Sequence, residues 1–93
     1  MEHTLDAVTT TIKAIVAQTL KVESDDFTLD TPLREELGAD SLDAISIALD
    51  VDDAFGIHVN DVELSQFNTC QSIVSAVSRH LNIDLPAQKK MSA

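Results

Sequence analysis

The sequence predicts an all-α protein: a small four-helix bundle of three longer helices and one short helix, with a long loop between helices one and two. Three observations predict it. Apolar residues recur at spacings of three and four in three separate stretches, the signature of amphipathic helices. The 93 residues include only two Gly and two Pro, which leaves room for long helices. The apolar complement is Leu, Ile, Val and Ala with three Phe and no Trp or Tyr, enough for one modest core. A chain of this size makes one domain, expected over residues 1–83, with a stability on the order of 5 to 9 kcal/mol.

Leu5, Val8, Ile12, Ile15, Val16 and Leu20 make one stripe, so the first helix is expected from about Thr4 to Leu20, with Thr10, Lys13 and Gln18 outside. Its threonines lower intrinsic propensity, so its stability must come from burial. Residues 21 to 39 lose the period and carry Ser24, Asp25, Asp26, Thr28, Asp30, Thr31 and Pro32. A connection this long needs anchors, and Phe27, Leu29, Leu33 and Leu37 are the candidates, with a short helical turn over Pro32 to Leu37.

The next boundary is written sharply. In Leu37-Gly38-Ala39-Asp40-Ser41-Leu42-Asp43, Gly38 is free of the Cβ penalty, Asp40 is a strong N-cap, and Asp43 can reach back to the cap's backbone N–H. The second long helix therefore starts here and runs to a C-cap at Gly56. Ala44, Ile47, Ala48, Val51, Ala54 and Phe55 form its core face. Ser41, Leu42, Ile45, Leu49, Asp52 and Asp53 share a different arc of about 120°. After Gly56 comes an apolar link, Ile57-His58-Val59, then a brief helix to about Leu64 capped by Asn60 or Asp61. Asn68 or Thr69 caps the last long helix, whose stripe is Cys70, Ile73, Val74, Val77 and Leu81. Residues 84–93, with Pro86 and no periodicity, are expected to form a flexible tail.

Composition excludes several functions. Sixteen acidic against six basic side chains give a formal charge of −10, which argues against nucleic acid or an anionic membrane and for Lys/Arg-rich protein surfaces as partners. The single cysteine, Cys70, permits no intrachain disulfide and reads as a small buried hydrophobe. No apolar run has the length of a membrane span and the first residues lack signal-peptide zones, so a cytoplasmic location is expected, and the chain is expected to be a monomer. His3, His58 and His80 have no catalytic partner at telling spacing, and the surroundings of Ser41 are not the Gly-x-Ser-x-Gly turn of serine hydrolases, so no catalytic residue is assigned. A calcium loop beginning at Asp50 fails: Ala54 stands at the third side-chain ligand position, Phe55 at the required glycine and Asp61 at the terminal glutamate, so no metal site is expected.

The heptapeptide resembles the attachment site of acyl carrier proteins, and the family's order of elements can be laid on the chain from about Ile12 to Leu81 without an obvious gap. The resemblance implies that Ser41, flanked by Asp40 and Leu42, carries 4'-phosphopantetheine from coenzyme A. The arm's terminal thiol would hold acyl groups as thioesters. Helix-start geometry agrees, because unpaired N–H groups and the macrodipole favour a phosphate there. The resemblance further implies a phosphopantetheinyl transferase and acyl-transferring and ketosynthase-type enzymes as partners, and no enzymatic activity in the chain itself. Asp43, Ile45, Ser46, Leu49, Asp50, Asp52 and Asp53 would form the surface for their basic docking faces. By analogy with the family, an acyl chain would be sheltered near Ala48, Val51, Val59, Leu64, Phe67 and Ile73.

The chain departs from the usual fatty-acid carrier in having Ser46 where glutamate is common and Asp50 where a small or apolar residue is usual. Displaced charge changes which partners fit. The implied role is carriage of acyl intermediates in fatty-acid or related polyketide or specialised lipid biosynthesis. The alternatives are an unmodified acidic helical interaction module and a peptidyl or D-alanyl carrier.

Overall fold

The computed structural model describes residues 4–82. Its elements are α1 (Leu5–Leu20), a 3₁₀ turn (Ser24–Asp26), α2 (Leu33–Leu37), α3 (Ser41–Phe55), α4 (Asp61–Ser65) and α5 (Cys70–Leu81). The expected bundle is present, three long helices with α4 as the short one. The loop contributes α2 where a short helical turn was expected. His3 and the expected tail at 84–93 lie outside the described residues.

Each long helix is bounded by the chemistry its sequence supplies. Thr4 caps α1 by accepting the Ala7 N–H at 3.1 Å. Lys21 ends α1 in the left-handed region at φ 59°, its N–H donating to the Ala17 carbonyl. Thr69 caps α5 in a reciprocal box with Ser72, and Asn82 closes it at φ 62°. Val8, Ile12 and Val16 of α1 meet Ile47 and Val51 of α3 and Ile73, Val74 and Val77 of α5 in one core in which each is essentially solvent-free. Helix α1 therefore lies against both α3 and α5.

The long loop is anchored at several points. Phe27 and Leu33 are buried, and Leu29 and Leu37 pack against the core. Backbone bonds tie the loop to the approach to α5: Leu33 N–H donates to the Asn68 carbonyl at 2.9 Å, and Gln71 N–H to the Leu29 carbonyl at 3.0 Å. Such bonds satisfy backbone groups that a buried loop would otherwise strand.

Four details differ from the sequence expectation. Lys13 is half-buried: its Nζ donates to the Phe27 carbonyl at 3.1 Å and stands 5.1 Å from the centre of the Phe27 ring. A long stem lets the ammonium leave the helix surface and clasp the loop. Ala54 is exposed, because it sits at the edge of the core arc in the last turn of α3, and Ala44 is half-buried. Ala76 and Ser78 widen the buried face of α5 beyond the expected stripe. Ser78 Oγ is buried with no hydrogen-bond partner among the described residues.

Candidate functional site

The start of α3 is built from the end of α2. Gly38 adopts φ 74°, a left-handed conformation that a side chain would strain, and its N–H donates to the Arg34 carbonyl at 3.1 Å. The next N–H, of Ala39, donates to the Leu33 carbonyl at 3.0 Å. The chain thus leaves one helix and begins the next within three residues. Asp40 is the N-cap, and the box is reciprocal: Asp43 N–H donates to Asp40 Oδ1 at 2.9 Å, and Asp40 N–H donates to Asp43 Oδ2 at 3.2 Å. Ser41 is the first helical residue and is exposed. Its hydroxyl makes no hydrogen bond among the described residues.

Beside Ser41 opens a cleft of about 480 Å³ between α2, α3, α4 and the start of α5. Its apolar lining comes from Leu33, Ala39, Ala44, Ile45, Ile47, Leu64, Phe67 and Ile73, and its polar lining from Arg34, Glu35, Asp40, Ser41, Ser65 and Asn68. Ile47 and Ile73 belong to the fully buried core, so the cleft floor is the core itself. Two hydroxyls border it. Ser65 Oγ donates to the Val62 carbonyl at 2.6 Å, whereas the Ser41 hydroxyl makes no hydrogen bond among the described residues.

Of the residues the sequence reading grouped around an acyl chain, Leu64, Phe67 and Ile73 line this cleft. Ala48, Val51 and Val59 are buried in the core and do not line it. Ala44 and Ile47, nearer the start of α3, stand there instead, since the cleft reaches only the first half of that helix. Arg34 was not singled out from the sequence, and Asn68 and Ala39 were named there only as a capping candidate and as part of the heptapeptide. The signal that could have marked Arg34 is its isolation: it is the only Lys or Arg between Lys21 and Arg79.

The outer arc of α3 is apolar and uncovered. Leu42 is 72%, Leu49 62% and Ile45 45% exposed, and Val62 of α4 adds another exposed side chain at 67%. Ser46, Asp50 and Asp53 are exposed alongside, and Asp43 is half-buried in its capping box. Asp52 behaves differently. Its Oδ1 accepts the Val59 N–H at 2.9 Å and its backbone carbonyl accepts the Ile57 N–H at 3.1 Å, so side chain and backbone of this residue together fasten the turn after α3, with His58 Nδ1 3.9 Å from the other carboxylate oxygen.

Helix α4, which carries one side of the cleft, is held by Glu63. Glu63 Oε1 accepts the Asn60 N–H at 3.1 Å and lies 3.0 Å from His80 Nε2 of α5. Desolvation by burial pushes the Glu63 carboxyl up, yet the hydrogen bonds from His80 and the Asn60 backbone, with the charges of His80 and Arg79, outweigh it and leave its pKa below the ordinary value. Cys70 is fully buried and its thiol is pushed up to about 11 by desolvation, against the opposing pull of the Lys13 charge. It packs as a hydrophobe and stands as a neutral thiol at neutral pH.

A family model described as the phosphopantetheine attachment site matches residues 10–77. The chain is 39% identical over 69 residues to the acyl carrier protein of Onion yellows phytoplasma (strain OY-M), an alignment spanning 74% of this chain and 91% of that one. The chain belongs to the acyl carrier protein family. It is also 35% identical over 81 residues to the acyl carrier protein of Petrotoga mobilis, covering 87% and 95% of the two chains. With that of Thermotoga maritima the identity is 34% over 70 residues, covering 75% and 86%. Acyl carrier proteins are carriers and not enzymes, and the prosthetic group of this attachment domain is 4'-phosphopantetheine. The residues present fit that group: a free hydroxyl at an exposed helix start, with a part-apolar cleft beside it. Among the described residues, no helix is long and apolar enough to cross a membrane.

Proposed function

We propose that Ser41 is the residue that carries 4'-phosphopantetheine, and that the chain transports acyl intermediates as thioesters between enzymes of fatty-acid or related biosynthesis in the cytoplasm. The observation that carries this reading is the Ser41 hydroxyl: unbonded, exposed at the first turn of α3 and on the rim of the cleft, while the neighbouring Ser65 hydroxyl is engaged. A phosphate ester there lies in the field of the unpaired first-turn N–H groups. The transferase that installs the arm supplies base and metal, so the carrier needs none. Incubation with coenzyme A and a broad-specificity phosphopantetheinyl transferase tests the reading. The wild-type chain gains the mass of one arm and Ser41→Ala gains nothing; an unmodified wild-type chain overturns it.

The cleft between α2, α3 and α4 shelters the acyl chain, with Leu64, Phe67 and Ile73 among its walls. Partners dock on the outer arc of α3, where Leu42, Ile45 and Leu49 supply apolar contact and Asp50 and Asp53 face basic side chains. Ser46 and Asp50 redistribute the acidic surface, which supports a specialised carrier serving a dedicated acyl or polyketide-type route. Offering the holo form to a housekeeping fatty-acid synthase tests this narrower point: elongation is expected to be poor, and normal elongation rates refute it.

A further inference from the structure

The surroundings of Ser41 present an electrostatic difficulty that one residue answers. Glu35, Glu36, Asp40 and Asp43 all lie within six positions of Ser41, and a phosphodiester on its oxygen adds a further negative charge. The pull of the helix start is already shared, because Asp40 and Asp43 accept each other's backbone N–H groups in the capping box. Arg34 is the only Lys or Arg between Lys21 and Arg79, and it lines the same cleft as Ser41. Among the described residues its guanidinium has neither a hydrogen bond nor an ion pair, despite two glutamates next to it in sequence. Its backbone is fixed, since its carbonyl accepts the Gly38 N–H and the preceding Leu33 N–H is tied to Asn68.

We infer that Arg34 is a positioning residue for the prosthetic arm, pairing with its phosphodiester at the rim of the cleft. The inference rests on Ser41 being the attachment residue. A guanidinium offers paired N–H donors in a fork that matches two phosphate oxygens, and it stays charged at every working pH. Held on α2, it also balances the like charges that otherwise crowd the start of α3. An exposed pair of this kind is screened by salt, so its effects are largest at low ionic strength.

The test compares wild-type, Arg34→Gln, Arg34→Lys and Lys21→Gln chains, each as apo protein and after loading with the arm from coenzyme A. Lys21→Gln removes the same unit of charge at the far end of the loop. The ³¹P resonance of the loaded protein and the difference in melting temperature between loaded and apo forms are measured at low and high salt. Arg34→Gln is expected to move the phosphorus resonance and to lower the loaded-minus-apo difference by about 1 to 4 °C at low salt, with the effect shrinking at high salt. Arg34→Lys recovers most of the melting difference, and Lys21→Gln matches wild type. Arms installed on all four chains with a phosphorus resonance and melting difference indifferent to Arg34→Gln overturn the pairing alone. No arm on any chain overturns both the pairing and the assignment of Ser41.

Discussion

If the cleft shelters cargo, lengthening the acyl chain must stabilise the fold by an amount that the cleft itself limits. Six methylenes buried over about half their surface contribute about 2.4 kcal/mol, taking ~0.8 kcal/mol for each one fully buried. Ordering a flexible chain of that length removes about 1.5 kcal/mol, as it does for a long side chain. The remainder, about 1 kcal/mol, raises the melting temperature of a domain this size by about 4 to 8 °C. The assay is thermal unfolding followed by circular dichroism on holo protein loaded with acetyl to decanoyl groups. An amide in place of the thioester keeps the cargo attached on heating. Acetyl should leave the melting temperature near that of the holo form, and octanoyl should raise it by several degrees. Further lengthening should then add little once the chain has passed Leu64, Phe67 and Ile73 and its end meets solvent. Phe67→Ala, which deletes a half-buried ring from the lining, should lower the stability of the apo form and move the plateau to longer chains. Equal melting temperatures for acetyl and octanoyl forms would refute the sheltering argument.

Lys13→Met keeps the stem of the side chain but removes its bond to the Phe27 carbonyl and its seat over the ring, and should cost about 1 to 2 kcal/mol in chemical denaturation. Asp40→Ala removes the cap of α3 and should destabilise by about 1 kcal/mol, measured as a lower urea midpoint at unchanged slope. The Glu63 carboxyl has a depressed folded pKa, so its contribution is present above the ordinary value of 4.5 and disappears as pH falls through the lower folded value. Glu63→Gln retains an acceptor for the Asn60 N–H, so it should flatten the loss of stability in that acidic window; an unchanged acid profile contradicts the assignment.

Much of this fold was legible because its boundaries depend on short-range chemistry. Asp40 with Asp43, Asn60 with Glu63, and Thr69 with Ser72 each cap a helix through groups three residues apart, and Gly38 and Gly56 mark ends that need positive φ. The placement of Ser41 at the first turn of α3 was legible to the same extent, since it follows from that local grammar. What depended on packing was not. A helical wheel gives Ala48 and Val51 the same face as Ile47, yet which turn of that face meets the cleft depends on where α2 and α4 sit. Asp52 carries the same charge as Asp53, and only the returning chain at Val59 engages it. Lys13 lies on the outer side of its stripe until the loop places Phe27 within reach.

The role of a carrier turns on which oxygen takes the arm. Fragmentation mass spectrometry of the chain after loading from coenzyme A should locate the whole added mass on Ser41. Added mass found on Ser46 or Ser65, or a Ser41→Ala chain that loads as well as wild type, would contradict it.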